Sequence, residues 1–329
     1  MKNKRGDFNF ALLFAIIAGS AILLLAIYGA VKAGNSAQVQ SAAEVAKEFD
    51  IITNPLQGGF APTKTSLITF PKNTRIENTC SFYNDFGYNS IAVQSEVGTG
   101  DKWLDSTIPV RINNKYIYSD FEEGKSFRVM SKSFEFPYKV ADLLFITSKN
   151  YCFMHPPAEL AKSILSLSVK PTEQNFIGVE TDENNTCFDE AITVCFEFGN
   201  CDIVISGTCN DETSCDSKYD SGTVRKNGET MTYEGNLLFA ALFSSKEIYD
   251  CNFQRLMFRT SKIADILSAK ADLMNARGCN TQMKLDMEYF SGITKNGQIE
   301  DLRTLSSAAK ILKDAKQEFG SYASECDLW

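Results

Sequence analysis

Residues 10–31 form an apolar run of 22 residues without a charge, and this run constrains the chain more than any other feature. A helix rising about 1.5 Å per residue covers a ~30 Å hydrocarbon layer with about 20 such residues. The run, FALLFAIIAGSAILLLAIYGAV, has no polar face of the kind a surface helix needs. Lys2, Lys4 and Arg5 precede it and Lys32 follows. That bias predicts a cytoplasmic N-terminus (1–9), a transmembrane helix (10–31) and an extracytoplasmic remainder (33–329), anchored in the cell membrane by a single pass. The lipid bilayer is then the first expected partner. A cleaved secretory signal is the alternative, although its apolar core is normally shorter.

The periodicity continues past the run. Val39, Ala42, Ala43, Ala46, Phe49 and Ile52 recur at three- and four-residue steps, which predicts a helical stalk over 32–54. Asn54-Pro55 and Gly58-Gly59 end it. Small residues spaced by four, such as Ala11, Ala15 and Gly19, offer a ridge for self-association.

Ten cysteines follow and none precedes or interrupts the apolar run: Cys80, Cys152, Cys187, Cys195, Cys201, Cys209, Cys215, Cys251, Cys279 and Cys326. An even number confined to this part predicts disulfides in an oxidising compartment. No C-x-x-C is present, so neither a zinc ribbon nor a thioredoxin-type pair is indicated. The dense stretch 187–215 allows local loops such as Cys195/Cys201 or Cys209/Cys215, but spacing does not fix the pairing.

The rest reads as α+β. Short alternating or β-branched segments are expected as strands at 66–70, 75–80, 91–96, 110–118, 127–136 and 143–153. A short helix at 158–167 and a strand at 176–180 complete one strand–helix–strand crossover. Strands at 192–198 and 202–206 come next, then a hairpin over 223–233 turning on Asn227-Gly228. Residues 237–243 are wholly apolar, fitting a buried strand or a buried helix start. From Lys246 the period is helical. One long helix ends at Arg277-Gly278, and others follow at about 282–290 and 299–319. The expected layout is a mixed, mainly antiparallel β-rich extracytoplasmic domain over 55–243, then a C-terminal helical bundle over 244–329.

The formal net charge is −8, and because the first 31 residues are net basic the remainder is more acidic still. An acidic surface repels phosphate backbones, so nucleic acid is not an expected partner. Few catalytic signatures are available. His155 is the sole histidine, which removes paired-imidazole metal sites and most His-based triads. Gly98-Thr-Gly100 lacks the third glycine of a dinucleotide loop. Ser307 and Lys310 have S-x-x-K spacing but no companion motif. Asp211, Glu212, Asp216 and Asp220 surround Cys209 and Cys215 without the spacing of a twelve-residue calcium loop. No cofactor, metal or catalytic set is therefore expected, although dispersed carboxylates could meet in a glycosidase-like site. Asn184-Asn-Thr186 is a glycan-acceptor pattern.

Two resemblances bear on function. Lys4-Arg5-Gly6 before an apolar run resembles the processing site of type IV prepilins, with Gly6 the residue preceding cleavage. Ala11 stands where many pilins carry glutamate. Separately, IYDCNFQRLM from Ile248, Arg277-Gly-Cys279, the closing Cys326-Asp-Leu-Trp329, FEFPYKVADLLFITS from Phe134 and Asn150-Tyr-Cys-Phe are similar to a recurring family of uncharacterised archaeal membrane-anchored proteins. That resemblance implies a cell-surface setting and brings no activity with it. The leading expectation is a binding, adhesion or envelope-structural protein, partnered by other envelope proteins or by itself. A pilin-like filament subunit and a membrane-tethered ectoenzyme with a carboxylate site are the alternatives.

Overall fold

The computed structural model describes Leu25, Tyr28 and residues 63–96, 103, 109–167, 177–181, 187, 190–208, 219–279, 283–320 and 328–329. The architecture is α+β. Its first sheet contains β1 (Thr63–Ser81), β2 (Tyr88–Ser95), β3 (Val110–Ile112), β4 (Tyr116–Tyr118), β5 (Phe121–Glu135) and β6 (Lys139–Thr147), in the order β3-β2-β1-β5-β6-β4. Only the β4–β6 pair is parallel. The second sheet contains β7 (Tyr151–Met154), β8 (Ile177–Glu180), β9 (Ile192–Phe196), β10 (Ile203–Gly207), β11 (Ser221–Lys226) and β12 (Glu229–Glu234), in the order β12-β11-β10-β9-β7-β8. Its β10–β9, β9–β7 and β7–β8 pairs are parallel, so this sheet is less antiparallel than expected. The crossover β7–α1–β8, with α1 at Ala158–Leu165, is the predicted one.

Several boundaries differ from the sequence expectation for local reasons. The segments 66–70 and 75–80 are one long strand, because the register shift between Thr69 and Thr74 is absorbed as a bulge rather than a break. Conversely, 110–118 splits into β3 and β4 around Asn113-Asn114. Asn227 and Gly228 take φ of 53° and 79°, the left-handed pair that a tight hairpin requires. The apolar stretch 237–243 is helix α2 (Leu237–Phe243), and all seven of its residues are buried. Helices α3 (Lys246–Ala276), α4 (Lys284–Thr294) and α5 (Leu302–Gly320) close the chain. Ser245 caps α3 by accepting from the Ile248 amide, and Asp120 in turn accepts from the Ser245 amide and hydroxyl at 2.7 and 2.8 Å.

The first sheet is buried on both faces, which is why β5 and β6 read as nearly continuous apolar runs. Met130, Phe134, Leu143 and Phe145 point into the main core with α2, α3, α4 and the second sheet. Phe127, Val129, Leu144 and Ile146 alternate to a separate cluster with Ile76, Ile91 and Ile117.

The long helix α3 is tied to the first sheet by a buried polar hub. Arg255 is fully buried. Its guanidinium donates to Phe86 O (2.9 Å), Asn113 O (3.0 Å), Asn89 Oδ1 (2.5 Å) and Asn252 Oδ1 (2.7 Å), and it lies 4.8 Å from the Tyr116 ring centroid. Asn252 Nδ2 donates to Ile117 O at 2.9 Å, as does Asn78 Nδ2 at 3.0 Å. Gly87 (φ +55°) makes room, since a Cβ there would lie 2.3 Å from Ser81 O and 3.0 Å from the Arg255 side chain. Beside the hub, Cys251 bonds Cys80 across 171 residues of sequence.

The expected membrane architecture is corrected. No helix among the described residues is long and apolar enough to cross a membrane. The predicted span 10–31 and stalk 32–54 lie outside the described residues, apart from Leu25 and Tyr28, which are helical and exposed. An uncharged run meets the length requirement of a span, but spanning also needs a continuous helix that satisfies every backbone group. No described helix supplies one. The expected single-pass fold and the localisation built on it, with a cytoplasmic N-terminus and 33–329 outside, therefore have no support in any described helix.

Arg255→Met strands the buried acceptors Asn89, Asn252, Phe86 and Asn113. It should destabilise the fold by on the order of 3–5 kcal/mol, read as a lower urea midpoint. Loss of the Cys80–Cys251 bond in a double serine variant should remove about 5 kcal/mol by the loop-entropy estimate. An unchanged midpoint in either variant would contradict the role given to the hub.

Candidate functional site

Among the described residues a concavity lies where the β11–β12 hairpin, the β5–β6 turn and helix α5 meet. The main lobe is a cleft of about 900 Å³. A second lobe of about 390 Å³ shares Glu135, Phe136, Asp220 and Glu234 with it. One wall is strand-borne: Asp220, Ser221, Gly222, Thr232, Tyr233 and Glu234. Opposite stands α5, which presents Arg303, Ser306, Ser307, Lys310 and Lys313. Phe136 and Pro137 of the β5–β6 turn form one end.

Local geometry fixes this wall. The Gly235 amide donates to Asp220 O at 2.6 Å, closing the end of the hairpin. Asn236 Nδ2 donates to Ser133 O at 2.8 Å and pins the hairpin to β5. Gly222 permits a close approach, because a Cβ there would lie 2.0 Å from Ser206 O and 2.9 Å from the Tyr233 hydroxyl.

Two groups in the cleft are chemically distinctive. The Tyr233 side chain is 1% exposed, yet its hydroxyl has no hydrogen-bond partner among the described residues. A buried hydroxyl left unpaired is unfavourable by about 1–3 kcal/mol, so an orphan on a cleft wall points to a ligand that completes it. Glu234 is half-buried and its carboxyl is held above the usual range. Burial is the larger cause and the neighbouring Asp220 charge adds to it, while a hydrogen bond with Ser306 opposes both. Nearby, burial and then Glu197 push the Tyr219 hydroxyl up to about 12.

The residues singled out from sequence scatter relative to this cleft. Asp220 belongs to it, whereas Asp211, Glu212 and Asp216 lie outside the described residues. Ser307 and Lys310 both line the α5 wall, but the Ser307 hydroxyl donates back to Arg303 O at 2.9 Å. His155 is exposed in a left-handed turn (φ 50°), with its amide donating to Glu180 O at 2.7 Å. Gly98 and Gly100 lie outside the described residues, and the neighbouring Trp103, bridged to Glu96, carries the Arg75 guanidinium 3.8 Å from its ring centroid. Gly6 and Asn184 lie outside the described residues.

The cysteines pair as Cys80–Cys251, Cys152–Cys187 and Cys195–Cys201, and Cys279 is also disulfide-bonded. No cysteine is free among the described residues, while Cys209, Cys215 and Cys326 lie outside them. Cys152, Glu180 and Cys187 converge within 4.8 Å of one another, the spacing of a metal site. Their two sulfurs are joined to each other, so they have no thiolate to give. Glu234 and Tyr233 carry no motif. The only sequence signal leading to them is the Asn227-Gly228 turn, which places them at the far end of a hairpin strand.

No protein-family model, curated protein or solved structure matches the chain.

Burial of titratable groups gives the fold an alkaline optimum. Burial holds Lys132 and Lys226 down at about 8, against 10.5 when free. Between those values the unfolded chain binds more protons, so stability rises with pH. Burial also holds Tyr118, Tyr138, Tyr151, Tyr233 and Tyr249 above the ordinary 10.0, so from pH 10 upward the unfolded chain loses protons first and stability falls. Calorimetric Tm should therefore peak between about pH 9 and 10. A Tm that falls steadily from pH 7 would contradict these burials.

Proposed function

We propose that this protein is a disulfide-stapled recognition module of an oxidising compartment that binds a hydroxyl-rich, saccharide-class ligand in the cleft beside β12. The orphan Tyr233 hydroxyl carries this reading. The rest of the lining suits such a ligand. Glu135, Asp220 and Glu234 accept hydrogen bonds, Arg303 and Lys310 donate them, the serines do both, and Phe136 offers an apolar face. An adhesion or envelope role agrees with the disulfides.

A glycan array followed by calorimetry on the best hit tests it. Tyr233→Phe removes only the hydroxyl and should weaken binding about tenfold. Absence of saccharide binding, or equal affinity in the variant, would overturn the reading.

Glu234 favours a second reading. Burial holds the Glu234 carboxyl above its ordinary range, and Asp220 lines the same cleft, so two carboxyl groups stand where acid–base hydrolysis of a glycosidic bond would use a pair. Under it, Glu234→Gln should bind the same saccharide and lose turnover at least a hundredfold. Binding by the wild type without turnover would leave recognition alone.

A further inference from the structure

We propose a second, separate site: Ser163 is a nucleophile activated by Lys132 for attack on ester or amide carbonyls. Neither residue lines the cleft, so this inference does not rest on the saccharide reading.

The geometry starts from an unusual lysine. Lys132 occupies the inner face of β5, in alternation with Arg128, Met130 and Phe134, and only 5% of it is exposed. Its ammonium donates to Ser163 Oγ at 2.9 Å and lies 4.5 Å from the Phe239 ring centroid. A buried lysine ordinarily has a carboxylate partner, because an uncompensated ammonium in an apolar site is expensive.

Among the described residues no carboxylate is bonded to it. Its register partners are Thr63 on β1 and Leu143 on β6. Asp142 on β6 is engaged by Lys139 at 3.0 Å. On α1 the neighbouring Lys162 is exposed, and α2, with the sequence LLFAALF, carries no charge. Arg128 is four residues along the same strand, roughly 13 Å away at strand spacing. Burial alone accounts for the depressed basicity. The lysine is therefore poised to lose its proton near pH 8, well below a free lysine, as suits a general base.

The serine is complementary. Ser163 lies on α1 and is half-buried as a residue, while the lysine that donates to its hydroxyl is buried. This is the division of labour a serine–lysine pair needs: a dry base and a reachable nucleophile.

The chemistry balances without any group besides substrate and water. Neutral Lys132 takes the Ser163 hydroxyl proton as Oγ bonds to the carbonyl carbon. The bond to the leaving amine or alcohol breaks, and that group takes the proton from the Lys132 ammonium. Water then attacks the acyl-serine, passing its proton through Lys132 to Ser163 Oγ. The acid is released and both residues return to their starting forms.

The test is labelling of the intact chain with a fluorophosphonate probe, mapped by peptide mass spectrometry. A phosphonyl adduct on Ser163 is expected, and Ser163→Ala should abolish it. The labelling rate should rise about tenfold from pH 7 to pH 9 and level off, half-maximal near pH 8. A merely structural serine would show no such plateau. Lys132→Arg keeps a cation and its donors but cannot serve as a base, so it should fold and not label. If that variant fails to fold, the wild-type pH profile decides. No adduct on Ser163 in folded protein at pH 9, or a rate that climbs without a plateau, overturns the proposal.

Discussion

The rest of the fold hangs on one buried cation. Among the described residues Arg255 has no carboxylate hydrogen-bonded to it, and it is held by carbonyl and amide oxygens from the β1–β2 turn, strand β2, the β3–β4 turn and its own helix. Desolvating a guanidinium is tolerable only when its donors are satisfied, so the turns at Phe86 and Asn113 and the start of β2 at Asn89 must all take their places together. The Cys80–Cys251 bond makes the same connection covalently one turn earlier on α3. Helix α3 is thereby fixed against the first sheet. Tyr138 and Tyr249, which donate to Thr260 O and Thr232 O, then join it to the β5–β6 turn and to β12.

That arrangement sets the position of the cleft. Tyr249 of α3 holds β12 through Thr232, Asn236 ties the hairpin to β5, and α5 completes the opposite wall. The cleft is therefore bounded by elements anchored to rigid structure rather than by free loops, which suits pre-organised recognition. The Ser163–Lys132 pair has a different support. It sits where α1 of the crossover meets the inner face of β5, with Phe239 of α2 beside it.

Much of the element plan was legible in the sequence, because hydrophobic period and turn chemistry are local. The Asn227-Gly228 hairpin, the Arg277-Gly278 helix stop and the β7–α1–β8 crossover are of this kind. The site was hardly legible. Glu234, Tyr233 and Lys132 have no signature, since what distinguishes them is burial and the absence of a partner. Ser307 and Lys310 show the converse: a recognisable spacing whose serine spends its hydroxyl on its own helix.

The sequence by itself determined that this chain is acidic, rich in cysteine, of mixed α and β type, and poor in imidazole chemistry, because composition and periodicity survive without tertiary context. Its 22-residue apolar run set a length that a membrane span would need. Yet no described helix is long and apolar enough to cross a membrane. Only the tertiary structure decided which cysteines meet, which lysine is desolvated and which hydroxyl is orphaned. Those properties arise when segments such as Cys80 and Cys251, 171 residues apart, are brought into contact, and no local pattern encodes them.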